Sequence, residues 1–218
     1  MRYLDKPTPA DLGLDGREGR LLRSLATPED VQAYVTSLPA NHEENGATLY
    51  SVRRVLRHRK AHCLEGAFVA ACALWLQGRP PLVVDMTAQG DADHVITVFR
   101  RGVYWGAISK TNHAWLRWRD PVYRTLRELI MSYFHEYARK EHKSLRAYSR
   151  TIDMRRFPSA EWITDEDDCW EVGAAIDDAR HYPVITPAQA RRLRPRDAFE
   201  VKIDGIVEYP PTRRKQAA

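Results

Sequence analysis

Residues 60–78 read KAHCLEGAFVAACALWLQG, and this stretch decides the architecture. Its apolar residues (Ala67, Phe68, Val69, Ala70, Ala71, Ala73, Leu74 and Leu76) run nearly all round a helix. A helix that is apolar on every side belongs in the middle of a core. Gly78 ends it, and Pro80–Pro81 forbid its continuation. Glu65 lies in the first turn, where a carboxylate meets the positive end of the helix dipole. At the head stands Cys63, with His62 before it. Small buried cysteines are common in helices, so the thiol has a plain packing explanation. The same positive end also stabilises a thiolate, which gives it a second explanation as a nucleophile.

Outward from this helix, PLVVDM (81–86) reads as a buried strand and TAQGDAD (87–93) as a polar turn. HVITVFR (94–100) is a second strand, Arg101–Gly102 begins a tight hairpin, and VYWGAIS (103–109) is a third strand. Strands joined by short turns after one buried helix predict an α+β fold, an antiparallel sheet packed on that helix. Upstream, residues 1–26 read as irregular. TPEDVQAYVTSLP (27–39) reads as a short helix capped by Thr27, with Pro28 in its first turn. ANHEENG (40–46) is a loop, and Leu49, Val52, Val55 and Leu56 fall at helical spacing.

Downstream, DPVYRTLRELIMSYFHEYARKEH, opening at Asp120, has the clearest helical pattern, with a stripe from Val122 through Leu129, Ile130, Tyr133 and Phe134 to Tyr137. After residue 142 the character changes. RAYSRTIDMRRFPSAEW suggests no assignment. TDEDDCWEVGAAIDDARHY reads as a helix capped by Thr164, and TPAQARRL (186–193) as another capped helix. FEVKI-DG-IVEY (199–209) reads as a hairpin turning at Asp204–Gly205. The expected division is an N-terminal helical segment (1–46), a core (47–140) and a mainly helical C-terminal appendage (141–218).

The chain has 218 residues, a formal charge of +5 and three cysteines. No apolar run approaches the roughly 20 residues of a membrane span. The opening MRYLDKPTPADLGLDG lacks the apolar core of a signal peptide. An odd cysteine count without regular spacing argues for a reducing compartment, so the expected location is cytoplasmic. Basic residues cluster in RRVLRHRK (53–60), RRLRPR (191–196) and RRK (213–215), with no nucleic-acid-binding motif beside them. They read as solvated surface with a weak attraction for acidic partners; nucleic acid and membrane are set aside.

Among the thiols, Cys72 lies nine residues beyond Cys63, on the opposite side of the helix among apolar residues, and reads as inert. Cys169 sits in DEDDCWE, where acids raise a thiol pKa. Only Cys63 is well placed as a nucleophile, and a thiolate nucleophile needs a base. His94, at a strand start after a polar turn, is the candidate, though such a residue can equally cap a strand. His62 is adjacent, and neighbouring side chains diverge; His113, in KTNH, is a second choice. Ligand types occur in His62, Cys63, Glu65, Asp93, His94 and His113, but without CxxC or HExxH spacing. No metal and no cofactor is expected.

The order of these pieces, seen in YSVRRVL, AHCLEGAFVAACALWLQGRPPLVVD, DHVITVF and YWGAIS, resembles the transglutaminase-like (papain-like fold) cysteine hydrolase superfamily, bacterial type, over about Tyr50 to Ser109. The resemblance implies a papain-like α+β core, with Cys63 attacking a carbonyl and His94 as general base and acid. It also implies an orienting group on the next strand. Where that family often carries Asp four residues after a Trp, this chain has Ser109 after Trp105. Asn112 is an alternative orienter, and Asp85, Asp91 and Asp93 are acidic neighbours. The Cys63 N–H would supply one oxyanion donor, with Tyr50 and Trp105 as candidates for the second. The implied reaction is acyl transfer or hydrolysis at an amide or thioester of a peptide, protein or small molecule. The absent Asp leaves a catalytically degenerate binding module as the alternative.

Overall fold

A computed structural model describes residues 6–210. Four helices come first: α1 (Gly16–Ser24), α2 (Pro28–Ser37), α3 (Val52–His58) and α4 (Cys63–Leu76). The expected helix at 27–39 is α2, where Thr27 and Asp30 form a reciprocal capping box and Pro28 occupies the first turn. The region read as irregular contains α1. Its signal was another capping box, Asp15 with Glu18, obscured by Gly16 and Gly19. Gly19 serves packing, because a Cβ there would stand 2.6 Å from Pro9 Cβ. In α4 every residue from Glu65 to Leu74 is buried, as its all-round apolar pattern required.

Next come strands β1 (Leu82–Ala88), β2 (His94–Arg101), β3 (Tyr104–Ile108) and β4 (Arg119–Tyr123). They form an antiparallel meander, with Gly102 at φ 61° in the turn between β2 and β3. Helix α5 (Leu126–Met131), a small hairpin of β5 (Ala138–Arg139) and β6 (His142–Lys143), and strands β7 (Leu145–Ser149) and β8 (Ile152–Asp153) follow. The chain then runs through α6 (Trp170–Asp177), β9 (His181–Pro183), α7 (Pro187–Ala190) and α8 (Ala198–Asp204). The main sheet has the order β4-β3-β2-β1-β7-β9, with β8 also pairing β1. Its pairings are all antiparallel. The fold is therefore α+β, and the segment after residue 141 supplies strands to the sheet as well as helices.

Each sheet face has its own core. Val83, Val95, Phe99 and Ile108 meet α4 together with α1, α2 and α3. Val84, Met86, Ile96, Val98 and Ala107 pack on Leu129, Ile130, Tyr133, Phe134 and Tyr137. Among the described residues, no helix is long and apolar enough to cross a membrane.

Three expected elements are different. The long helix from Asp120 is instead a strand, a six-residue helix and a run of turns. Pro121 lies in β4, at the edge of the sheet, where its missing N–H is tolerated. Thr125 then starts α5 by capping Glu128 N. Arg119 takes the Ser132 carbonyl at 3.2 Å and the Ser132 hydroxyl at 2.9 Å, which ends α5. The apolar stripe nevertheless remains buried from Leu129 to Tyr137. The hairpin expected at 199–209 is α8, because Asp197 and Glu200 form a capping box, and Gly205 has φ −71°, so no positive-φ turn forms. Thr164 does not begin a helix; α6 starts at Trp170, because Asp168 is drawn away to Leu49 N and Arg54.

Candidate functional site

The sheet and α4 place Cys63 at a cavity of about 270 Å³. Its wall includes His62, Asp93, His94, Lys110 and Asn112. Cys63 is partly exposed there, and its N–H, with those of Leu64 and Glu65, precedes the first intrahelical bond, Gly66 N to His62 O. Gly66 lets the 109–113 segment cross α4 closely, since a Cβ there would be 2.3 Å from Lys110 Cβ.

His94, first residue of β2, is buried beside the thiol. Its Nε2 is 2.8 Å from Ser109 Oγ, and Ser109 Oγ also lies 2.5 Å from Leu116 O. These two contacts fix the protons. A carbonyl only accepts, so the single Ser109 hydroxyl proton goes to Leu116 O. Ser109 must then accept from His94 Nε2–H, which leaves His94 Nδ1 for the thiol. Tyr137 packs edge-on against the imidazole, with ring centroids 6.3 Å apart.

His62 also lies beside the sulfur, against the expectation that adjacent side chains diverge. Its Nε2 donates to Thr48 O at 3.0 Å and is 3.4 Å from Glu65 Oε1. Glu65 is fully buried and accepts from His62 N, Tyr50 N, Asn41 Nδ2 and Thr48 Oγ1 at 2.9–3.2 Å. Sequence spacing hid this arrangement, because loop 41–50 must fold over the helix head before the ring is turned back.

Burial by itself pushes the Cys63 thiol up, but hydrogen bonding and charge from His62 and His94 outweigh it and hold the thiol well below its ordinary range. Burial likewise favours a neutral His62, yet the Cys63 sulfur and Glu65 raise it to about 9. Both shifts favour an ionised pair, a Cys63 thiolate beside a His62 imidazolium. Cys72 is buried in the core with its pKa driven up by desolvation. Cys169 is raised to about 12 by burial and then by Asp165 and Asp168.

No family model matches the chain, and no curated protein matches it.

The other expected site residues divide. Asp93 lines the cavity; its backbone oxygen is 4.0 Å from Cys63 Sγ, while its carboxylate accepts from Ala88 N at 2.7 Å. Asn112 lines the cavity too, but both ends of its amide bond Tyr209, so it does not orient His94. Tyr50 stacks on His58 and lies under Arg54, and Trp105 lies under Arg100, so neither aromatic reaches the thiol as an oxyanion donor. Asp91 accepts from Ser144, and His113 Nδ1 meets Asp204 O at 3.3 Å. Among the described residues, no cluster of three or more His, Cys, Asp or Glu is arranged to hold a metal ion.

Asp85 pairs with His181 at 2.9 Å and leaves its other oxygen buried without a partner. Burial raises its pKa to about 6, with His181 opposing. A carboxyl raised in the folded state adds stability that is complete below its unfolded value and lost as pH rises through its folded value. From about 3.9 unfolded to about 6 folded, wild type should lose about 2–3 kcal/mol relative to Asp85→Asn between pH 4 and pH 7. Urea unfolding of both chains at the two pH values measures this. A difference independent of pH would mean that Asp85 titrates normally.

Proposed function

We propose that the protein is a cytoplasmic thiol enzyme that transfers or hydrolyses acyl groups at an amide or thioester, on a papain-like core of the transglutaminase-like type. The observation that carries this reading is the chain Cys63–His94–Ser109, set at a helix head and opening on a cavity. Free thiols at all three cysteines suit a reducing compartment.

In the proposed mechanism, the Cys63 thiolate attacks the carbonyl carbon of a peptide, protein or small-molecule substrate. The oxyanion forms against the N–H groups of the first turn of α4, which are free of intrahelical partners. His94 takes the Cys63 thiol proton at Nδ1 and gives it to the departing amine or thiol as the carbon–heteroatom bond breaks. The acyl group is then a thioester on Cys63. Water or an amine attacks it while His94 Nδ1 takes a proton, and the thiolate is restored. Ser109 holds the imidazole by accepting from Nε2–H. A carboxylate at that position would face the Leu116 carbonyl with no proton to give, which explains why a serine suits this site.

The reading is tested by incubating the protein with aryl thioesters and following intact mass. The expected result is a transient acyl adduct on Cys63 that is absent in Cys63→Ala. Failure of every thioester to acylate the native chain would overturn it. Ser109 carries no charge to stabilise imidazolium, which favours a second reading, a binding module without turnover. That module would keep its ligand affinity in Cys63→Ser.

A further inference from the structure

Three residues of the Cys63 cavity wall, His42, Lys110 and Asn112, also hold a segment of the chain that does not itself line the cavity. After α8, residues 206–210 lie beside the 111–113 segment, with one isolated antiparallel bridge between His113 and Val207 and bends at Glu208 and Tyr209. Glu208 N donates to Asn112 O at 3.0 Å. The Asn112 side chain then reads the peptide unit of Tyr209 from both sides. Tyr209 N donates to Asn112 Oδ1 at 2.7 Å, and Asn112 Nδ2 donates to Tyr209 O at 2.8 Å. His42 Nε2 approaches the same carbonyl at 3.0 Å. Only then do side chains enter. The Tyr209 hydroxyl donates to Thr36 O at 3.2 Å, the Lys110 ammonium sits 5.0 Å from the Tyr209 ring centroid, and Arg117 pairs with Glu208.

This pattern has two features. Four of the contacts use main-chain atoms of 208–209, and recognition of main-chain atoms is indifferent to sequence. The side-chain slot between Thr36 and Lys110 selects one residue type, an aromatic ring with a polar tip, since a cation prefers a ring face. Apolar burial adds little, because Ile206 at the start of the strap is 70% exposed. A segment held by a few main-chain bonds and one ring is exchangeable. The residues that hold it, His42, Lys110 and Asn112, are walls of the cavity that contains Cys63.

We propose that the 111–113 edge, with His42 and Lys110, is a docking groove for a peptide segment carrying an aromatic residue, and that residues 207–209 are its resident occupant. This deepens the acyl-transfer reading by naming a peptide as the class of molecule brought to the thiol. A peptide in trans must first displace the strap, so the strap sets the threshold for docking in this groove.

The probe is a fluorescent peptide with the sequence Ile-Val-Glu-Tyr-Pro, blocked at both ends, and the readout is anisotropy. Full-length chain carrying Glu208→Pro and Tyr209→Ala lacks both the Glu208 N–H and the ring, so its groove is open. It should bind the probe at least tenfold more tightly than wild type, and adding Asn112→Ala should erase that gain. Equal binding by the opened chain and wild type, or a gain that survives Asn112→Ala, overturns the proposal. Wild type gives a check free of substitutions: excess peptide should speed hydrogen exchange at the Glu208 and Tyr209 amides at least tenfold, and unchanged exchange also overturns it. Both readouts work in Cys63→Ala, so a groove without acyl chemistry and acyl chemistry without a groove give different results.

Discussion

Iodoacetamide should alkylate Cys63 at pH 6 far faster than an ordinary thiol of pKa about 8.5, of which only about one molecule in 300 is thiolate at that pH. The sign follows from the two histidines. Each stabilises the thiolate, and burial opposes them. His94→Ala should therefore move the midpoint of the rate profile up, and His62→Ala should do the same. The double variant should move the midpoint further up than either single change, because both opposing partners of the desolvation are gone. Cys72 and Cys169 supply internal controls, since burial raises both and they should stay silent at pH 6. Mass spectrometry of each cysteine-containing peptide across pH 4–10 gives the three profiles in one experiment. A Cys63 midpoint that ignores both substitutions would mean that neither ring acts on the sulfur.

The two histidines then divide the work. His62 is tied through Nε2 to Thr48 O and sits by Glu65, so its proton is held by fixed partners. His94 has the neutral Ser109 behind it at Nε2 and turns Nδ1 toward the thiol. The same alkylation series tests this. Ser109→Ala should disturb the His94 contribution and leave the His62 contribution in place.

Much of this site was legible in the sequence because its parts obey local rules. The apolar sweep of α4, the short apolar runs of β1 to β3 and the polar turn before His94 each follow from the pattern within one element. Their order along the chain then places Cys63, His94 and Ser109 at one end of the sheet. What escaped depends on contacts between elements far apart in the chain. Asn112 is spoken for by Tyr209, 97 positions away, and no spacing rule could say so. The stripe from Val122 to Tyr137 has helical period, yet Arg119 and Pro121 cut the helix short while the buried residues keep their faces. At 199–209 two local signals competed. The Asp197–Glu200 box was the stronger, because it satisfies backbone donors at once, whereas an Asp–Gly turn gains only when two strands also pair.

Glu65→Ala should be the most destabilising single change at the helix head. The carboxylate has no solvent exposure and serves four donors: His62 N, Tyr50 N, Asn41 Nδ2 and Thr48 Oγ1. Alanine strands the two backbone N–H groups in a dry site at about 1–3 kcal/mol each and leaves the Asn41 amide short of an acceptor. A loss on the order of 4 kcal/mol is expected, read from the urea midpoint of the full chain. Glu65→Gln keeps the volume and one acceptor oxygen, and should cost roughly half as much. That milder variant separates folding from chemistry. With the carboxylate gone, His62 loses a charge that favours its imidazolium form. The Cys63 alkylation midpoint should then move up even in a chain that remains folded. A glutamine variant that loses stability but keeps the native thiol profile would make Glu65 a clamp on loop 41–50 and nothing more. A shift in both properties would mean that one buried carboxylate holds the loop, the first turn of α4 and the charge on His62 together.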